Sequence, residues 1–191
     1  MKATMSSKTE SIIETSRLLL RPMQLTDADA LLHIFADPKV MGGTPFDRQQ
    51  MEHWVQRNLD HQTQYGYGLF SVILKTDGEL IGDCGLEQMD LEGIQIAELG
   101  YDFRSDYWNQ GFATEAAIAV RDFAFHTLDL PCLISLIRVG NGASRRVAEK
   151  IGMQCVSELT RYGYPYWKYS VDRDSSVLSI SSIPIHGLAQ T

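Results

Sequence analysis

An extended apolar segment, Ile94-Gln95-Ile96-Ala97-Glu98-Leu99-Gly100-Tyr101-Asp102-Phe103, leads within a few residues to one glycine, Gly111, and from there directly into an amphipathic helix. Such a segment reads as a long strand, with Gly100 as a candidate bulge. After Gly111, the residues Ala113, Ala116, Ala117, Val120, Phe123 and Ala124 recur at helical spacing, which predicts a helix ending near Leu128 to Leu130. Beyond Pro131, the run Leu133 to Val139 reads as a buried strand. Strand, helix, strand implies a right-handed parallel crossover. The turn into the helix is also an anion site in waiting. The first helical N–H groups lack intrahelical partners and carry the positive end of the helix dipole. Gly111 and Ala113 allow a ligand close to that backbone.

The rest of the chain fits around this unit. Arg17 to Arg21 reads as a short strand closed by Pro22, and Thr26, Asp27 and Asp29 supply helix-start chemistry for a helix through Leu31, Leu32 and Phe35. Gly42 to Pro45 is a loop, and Met51, Trp54, Val55 and Leu59 lie at helical spacing over about residues 47–62. Leu69 to Leu74 and Glu79 to Leu86 flank an Asp-Gly turn and predict a hairpin. A short helix over Arg145 to Ile151 stops at Gly152, and strands near Met153 to Leu159 and Tyr166 to Asp172 close a mixed sheet. The expected domain is 15–172, between a polar tail at 1–14 and a Ser-rich tail at 173–191.

Composition narrows the chemistry. The chain has 191 residues, 44% of them hydrophobic, enough for one domain with a full core. Its net charge is −7, without a dense basic run, which argues against nucleic-acid binding and suits a cationic substrate. No apolar stretch approaches the roughly 20 residues needed to cross a bilayer, and the start lacks a signal-peptide core, so no membrane association and a cytoplasmic location are expected. Cys84, Cys132 and Cys155 are widely separated and read as reduced core residues. The five histidines show no metal-ligand spacing, so no metal is expected. Phosphate-loop, dinucleotide and serine-elbow signatures are missing.

The segment Trp108-Asn109-Gln110-Gly111-Phe112-Ala113-Thr114-Glu115-Ala116 resembles the pyrophosphate loop of the GCN5-related N-acetyltransferases. It is most similar to the branch of the ribosomal-protein N-terminal acetyltransferases RimJ and RimL, which typically shows Trp-Gly-x-Gly-Tyr/Leu-Ala-Thr-Glu-Ala. Asn109 stands where that pattern has its first glycine. A second segment, Asn141 to Met153, resembles the branch's Asn-x-x-Ser signature in the correct order, and together the resemblance covers roughly residues 17–172. It implies a single-domain α/β (α+β) fold with a central mixed, mostly antiparallel, twisted sheet of about seven strands flanked by helices, and a parallel crossover at the cofactor site.

The resemblance also implies acetyl-CoA as cofactor and a primary amine as acceptor, attacked directly in a ternary complex. The acceptor implied is a protein N-terminal α-amine, with small-molecule amines open. Cofactor-binding residues would be Leu99, Gly100, Tyr101 and Phe103 along the pantetheine, Asn109, Gln110, Gly111, Phe112, Ala113 and Thr114 around the pyrophosphate, and Asn141 and Ser144 near the sulfur. The common tyrosine acid of the family falls at Ala148, which leaves the Ser144 hydroxyl for the departing thiolate. Glu98 is the candidate base, a partly buried carboxylate with a raised pKa, or else an edge glutamate or a structural partner. Asn141 and Ser144 read alternatively as ordinary helix-start residues. Glu115 fits a dipole-complementing role in the first helical turn. Tyr162, Tyr164, Tyr166 and Trp167 would wall an acceptor pocket or simply pack on a strand, and Trp54, Phe46 and the Gly42-Gly43 loop are similarly placed between pocket and packing. A homodimer is compatible with all of this. The rival reading is a non-catalytic acyl-CoA-binding sensor module.

Overall fold

Tight turns between chain neighbours build most of the sheet. The computed structural model describes residues 12–41, 45–91 and 93–174, with only the backbone of Met41. The loop glycines Gly42 and Gly43, most of the expected N-terminal tail and the tail beyond 174 lie outside the described residues. Strands β1 (Ile13–Glu14) and β2 (Leu18–Pro22) precede helices α1 (Ala28–Phe35), α2 (Pro38–Met41) and α3 (Arg48–Tyr65). Strands β3 (Leu69–Leu74), β4 (Leu80–Leu91) and β5 (Ile94–Phe103) follow, then α4 (Phe112–His126), β6 (Cys132–Arg138), α5 (Gly142–Lys150), β7 (Gln154–Arg161) and β8 (Tyr164–Asp172). The strands form one sheet in the order β1-β2-β3-β4-β5-β6-β8-β7. All neighbours are antiparallel except β5 and β6.

This is the mixed, mostly antiparallel architecture expected, with eight strands rather than about seven. The additional strand is β1, drawn from the end of the expected tail and paired to β2 through Ile13 and Glu14. Gly100 is not a bulge: the β4–β5 register runs unbroken through Gly85↔Gly100, and the irregularities lie at Val72/Ile73 and Cys155/Ser157. A reason for glycine exists on the facing strand, where a Cβ on Gly85 would sit 2.3 Å from the Gly68 carbonyl oxygen. The three cysteines are free, but only Cys84 is a core residue. Cys132 is half-buried and Cys155 is exposed, because β7 is an edge strand with little above its faces.

Each sheet face carries its own apolar layer. On one face, Phe112, Ala116, Ala117, Val120 and Ala124 of α4 share a cluster with Cys84, Leu86, Ala97, Leu99 and Phe103. The alanines let the helix axis come close to the strands. On the other, Leu31, Ile34 and Phe35 of α1 meet Met51 and Val55 of α3 above Leu69 and Leu80. Phe46 and Trp54 belong to this layer, with ring centroids 5.4 and 4.9 Å from that of Phe35. They are packing residues. A polar row crosses the sheet in register, Arg21 beside Ser71, Ser71 beside Asp83 and Asp83 beside Asp102. Its first half is closed by Asp27, which accepts from both Arg21 terminal nitrogens and from Ser71 Oγ, each at 2.7 Å. Burial pushes the Asp27 carboxyl up, but these bonds and the Gln24 N–H outweigh it and hold the group below its ordinary value.

The start of the chain is lashed to α4 through Glu115. Its Oε1 accepts from Thr15 Oγ1 at 2.7 Å, Ser16 Oγ at 3.1 Å and the Arg17 N–H at 2.9 Å, while Oε2 accepts from Arg17 Nε at 2.6 Å. Partial burial raises the pKa of this carboxyl, yet the bonds from Thr15, Arg17 and Ser16 prevail and bring it to about 2. The role is larger than dipole compensation. Replacing Glu115 by Gln should lower stability at neutral pH by about 2 kcal/mol, since bonds to a charged acceptor are lost. For a chain of this size that corresponds to a Tm drop of roughly 4–8 °C. The folded-state value lies below the ordinary 4.5, so this stabilisation is complete above that pH and is lost as pH falls towards 2. Thermal melts stepped from neutral pH to about pH 3 should therefore show wild type and variant converging. A gap that does not narrow would contradict the assignment.

Candidate active site

The parallel pair β5–β6 stops almost as soon as it starts. Its one register pair is Glu98↔Ile134, and side chains take over where the ladder ends. Ser135 Oγ donates to the Leu99 carbonyl at 2.7 Å, and the Leu136 N–H donates to Glu98 Oε1 at 3.1 Å. Farther along, the Tyr101 hydroxyl donates to the Ser144 carbonyl at 2.9 Å, tying β5 to α5. The two strands thus open into a wedge. A cleft of about 650 Å³ occupies it, running from Lys39 and Val40 of α2 past the end of β5 to the Gly111 turn and α5.

At one end of the cleft the chain makes the expected turn. Trp108 Nε1 donates to the Phe103 carbonyl at 2.7 Å and folds the segment back over the strand it has just left. Gly111 has φ +85°, so a side chain there is strained for conformational reasons, although a Cβ would meet only Arg17 at an ordinary 3.5 Å. Asn109 takes φ 62°, the left-handed region that asparagine tolerates better than most residues. Asn109 thus takes a conformation that glycine adopts without strain. The Arg17 guanidinium braces the turn from outside, donating to the Gln110 carbonyl at 3.0 Å and lying 4.3 Å from the Phe112 ring centroid. What remains pointing into the cleft is the start of α4, whose leading N–H groups favour an anion.

Of the residues singled out by sequence, Tyr101, Phe103, Asn109, Gly111 and Phe112 line this cleft, as do Ala113, Thr114, Asn141 and Ser144. The side chains of Phe103 and Phe112 are themselves core-buried. Glu98, Leu99, Gly100 and Gln110 do not line it. The Leu99 side chain is in the core, and Gln110 turns outward to bond the Asp106 carbonyl at 3.2 Å. Asn141 caps α5, its Oδ1 accepting from the Ser144 N–H at 3.1 Å. The Ser144 hydroxyl itself has no partner among the described residues and stands beside the cleft. The late aromatic group lies elsewhere: Tyr164 is stacked with Arg138 at 3.9 Å, Trp167 bonds Glu158, and Tyr162 is exposed in the β7–β8 turn. None of Tyr162, Tyr164, Tyr166 and Trp167 lines the cleft, although Tyr164 stacks on the cleft residue Arg138.

Several cleft residues were not singled out in the sequence. Lys39, Arg138, Arg146 and Lys150 put four cations along it, complementing a polyanion already favoured by the helix start. Arg146 and Lys150 are four apart on α5 and so share a face, a signal that was readable. Asp102 also lines the cleft, and burial and then Glu87 push its carboxyl up to about 6. Burial likewise raises Glu98, against the lowering effect of the Leu136 N–H, and raises Tyr101. The cleft therefore pairs a cationic, backbone-lined end, suited to phosphates, with an acidic spot beside β5. No group of side chains able to hold a metal ion occurs among the described residues, and no helix among them is long and apolar enough to cross a membrane.

Residues 17–154 match the family model of the acetyltransferase (GNAT) domain. The uncharacterised N-acetyltransferase p20 of Bacillus licheniformis is 35% identical over 152 residues, 78% of this chain and 85% of that protein. An acetyltransferase structure from Agrobacterium tumefaciens superposes with a TM-score of 0.73 at 32% identity, covering 84% of this chain and 94% of that one. RimL, a ribosomal L7/L12 alpha-N-protein acetyltransferase solved with coenzyme A, shares the fold at 19% identity and a TM-score of 0.72, over 86% of this chain and 99% of its own. A strand wedge opening onto a helix start, on a sheet of this order and with these relatives, places the chain in the GNAT acetyltransferase family.

Proposed function

We propose that this acetyltransferase moves the acetyl group of acetyl-CoA to a primary amine by direct attack, with both substrates bound in the wedge between β5 and β6. The observation that carries this reading is the cleft itself, which joins the left-handed Asn109–Gly111 turn to the unbonded Ser144 hydroxyl within one continuous space. The residues present fit the cofactor: leading N–H groups of α4 for the pyrophosphate, with Arg138, Arg146 and Lys150 close by for further phosphate charge. The edges of β5 freed by the divergence of β6 suit the amide groups of the pantetheine arm, along Leu99 to Phe103. When bound, acetyl-CoA supplies an activated acyl group on a thioester. Asn141 holds the first turn of α5, which sets the Ser144 hydroxyl where a departing thiolate needs a proton. Glu98, the relay expected from sequence, has its pKa raised by burial but spends one carboxylate oxygen on the Leu136 N–H and does not line the cleft.

For the acceptor, the RimL neighbour and the net charge of −7 support a cationic amine, with a protein N-terminus the leading class. A free-thiol release assay with acetyl-CoA across N-terminal peptides, polyamines, amino acids and aminoglycosides tests it. Turnover on one amine class is expected, whereas tight coenzyme A binding without turnover on any would return the chain to a sensor role. Gly111→Asp forces a side chain into a left-handed position and adds a carboxylate to the anion cradle. It should abolish acetyl-CoA binding by calorimetry, and an unchanged affinity would sink the pyrophosphate assignment. Ser144→Ala should lower kcat by roughly tenfold to ten-thousandfold with little change in cofactor affinity. Wild-type turnover there leaves Ser144 as a helix-start residue only.

A further inference from the structure

Two carboxylates face each other across β4 and β5 with no cation between them. Asp83 and Asp102 are register partners, and neither side chain forms a hydrogen bond or ion pair with any described residue. Asp83 is 1% exposed and its Oδ2 is buried without a partner. Like charges directly opposite on paired strands are destabilising, and a buried acceptor without a donor leaves its lost hydration uncompensated. An arrangement with two such penalties is unusual in a packed sheet. The neighbouring half of the same polar row shows the ordinary solution, with Asp27 fully bonded to Arg21 and Ser71.

Three further facts give the pair a direction. Asp102 lines the cleft, as do Lys39 and Val40 of α2. By alternation Glu98, Gly100 and Asp102 share one face of β5, and a Cβ at Gly100 would meet nothing within 4 Å, so open space lies beside Asp102 on that face. Glu98, by contrast, spends one carboxylate oxygen on the Leu136 N–H and does not line the cleft. We propose that Asp102, with Asp83 behind it, is the carboxylate that receives the acceptor amine and takes its proton. This rests on the acetyl-transfer reading above and replaces Glu98 in it.

The step balances simply. The acceptor arrives as an ammonium and gives one proton to Asp102, which later loses it to solvent. The freed amine forms the C–N bond as the thioester C–S bond breaks. The second proton then passes from the nitrogen through the Ser144 hydroxyl to the departing thiolate, leaving the amide and the free thiol. The base must be ionised to act, so activity gained from it rises with pH through the Asp102 value of about 6. The charged or titratable groups that act on the pair are Glu87 and the Cys84 thiol on β4 and Tyr101 on β5, while Arg21 and Asp27 lie farther along the same row beyond Ser71. Burial, then Asp102 and Glu87, push the Asp83 carboxyl well above the ordinary carboxylate range.

The test is kcat/KM against pH with the most active amine of the thiol-release panel. The wild type should show an inflection near pH 6. Asp102→Asn, which keeps shape and removes the charge, should remove that inflection and lower kcat/KM by roughly a hundredfold to ten-thousandfold, with calorimetric acetyl-CoA affinity held within about twofold. Glu98→Gln should keep the inflection whatever it does to the rate, and this arm remains decisive even if Asp102→Asn does not fold. An inflection that survives in Asp102→Asn, or vanishes in Glu98→Gln, overturns the proposal. Absence of turnover on every amine in the wild type is a separate result, which overturns the acetyl-transfer reading itself.

Discussion

The site depends on a pairing that ends early. Parallel strands β5 and β6 meet at Glu98 and Ile134 and then diverge, and the divergence makes room inside a sheet that is otherwise continuously bonded. Backbone groups left over at such a place are costly unless something bonds them. Here the chain supplies Ser135 for the Leu99 carbonyl and Glu98 for the Leu136 N–H, which stabilises the branching point without closing it. The other elements of the site, α2, α4 and α5, all contribute lining residues to this opening.

The crossover brings a carboxylate and an anion-favouring helix start to the same cleft. A strand that runs directly into a helix puts its own last residues beside the positive helix start. Asp102 and Gly111 belong to one uninterrupted stretch of chain, and both line the same cleft. The connection between them, which passes through a short helical turn at Ser105–Tyr107, thus sets opposite electrostatic demands in one space.

Much of this was legible in the sequence, for definite reasons. The strand–glycine–helix run carries period-2 and helical patterns on either side of a turn residue, so β5, the Gly111 turn and α4 follow from local rules. The hairpin at Asp77-Gly78 follows likewise. What could not be read was where β6 leaves β5, because that is decided by the return of β8 against β6 and by no local pattern. The facing of Asp83 on Asp102 was hidden for the same reason, since strand register emerges only from pairing. Gly100 reads as a bulge in isolation, but the unbroken Gly85↔Gly100 register removes that need. The four cleft cations went unseen because they come from three separate elements, each unremarkable alone.

The lash through Glu115 has a consequence for how the site is assembled. Arg17 and Glu115 are 98 positions apart, and the same arginine braces the Gln110 carbonyl from 93 positions away. Contacts of such separation form late, because the loop entropy they close must be offset by structure already in place. The β3–β4–β5 meander can pair through turns between chain neighbours. The anion turn, although local in sequence, reaches its braced geometry only when the first strands dock at the sheet edge. Completion of the sheet at its N-terminal edge is therefore the event that matures the binding loop.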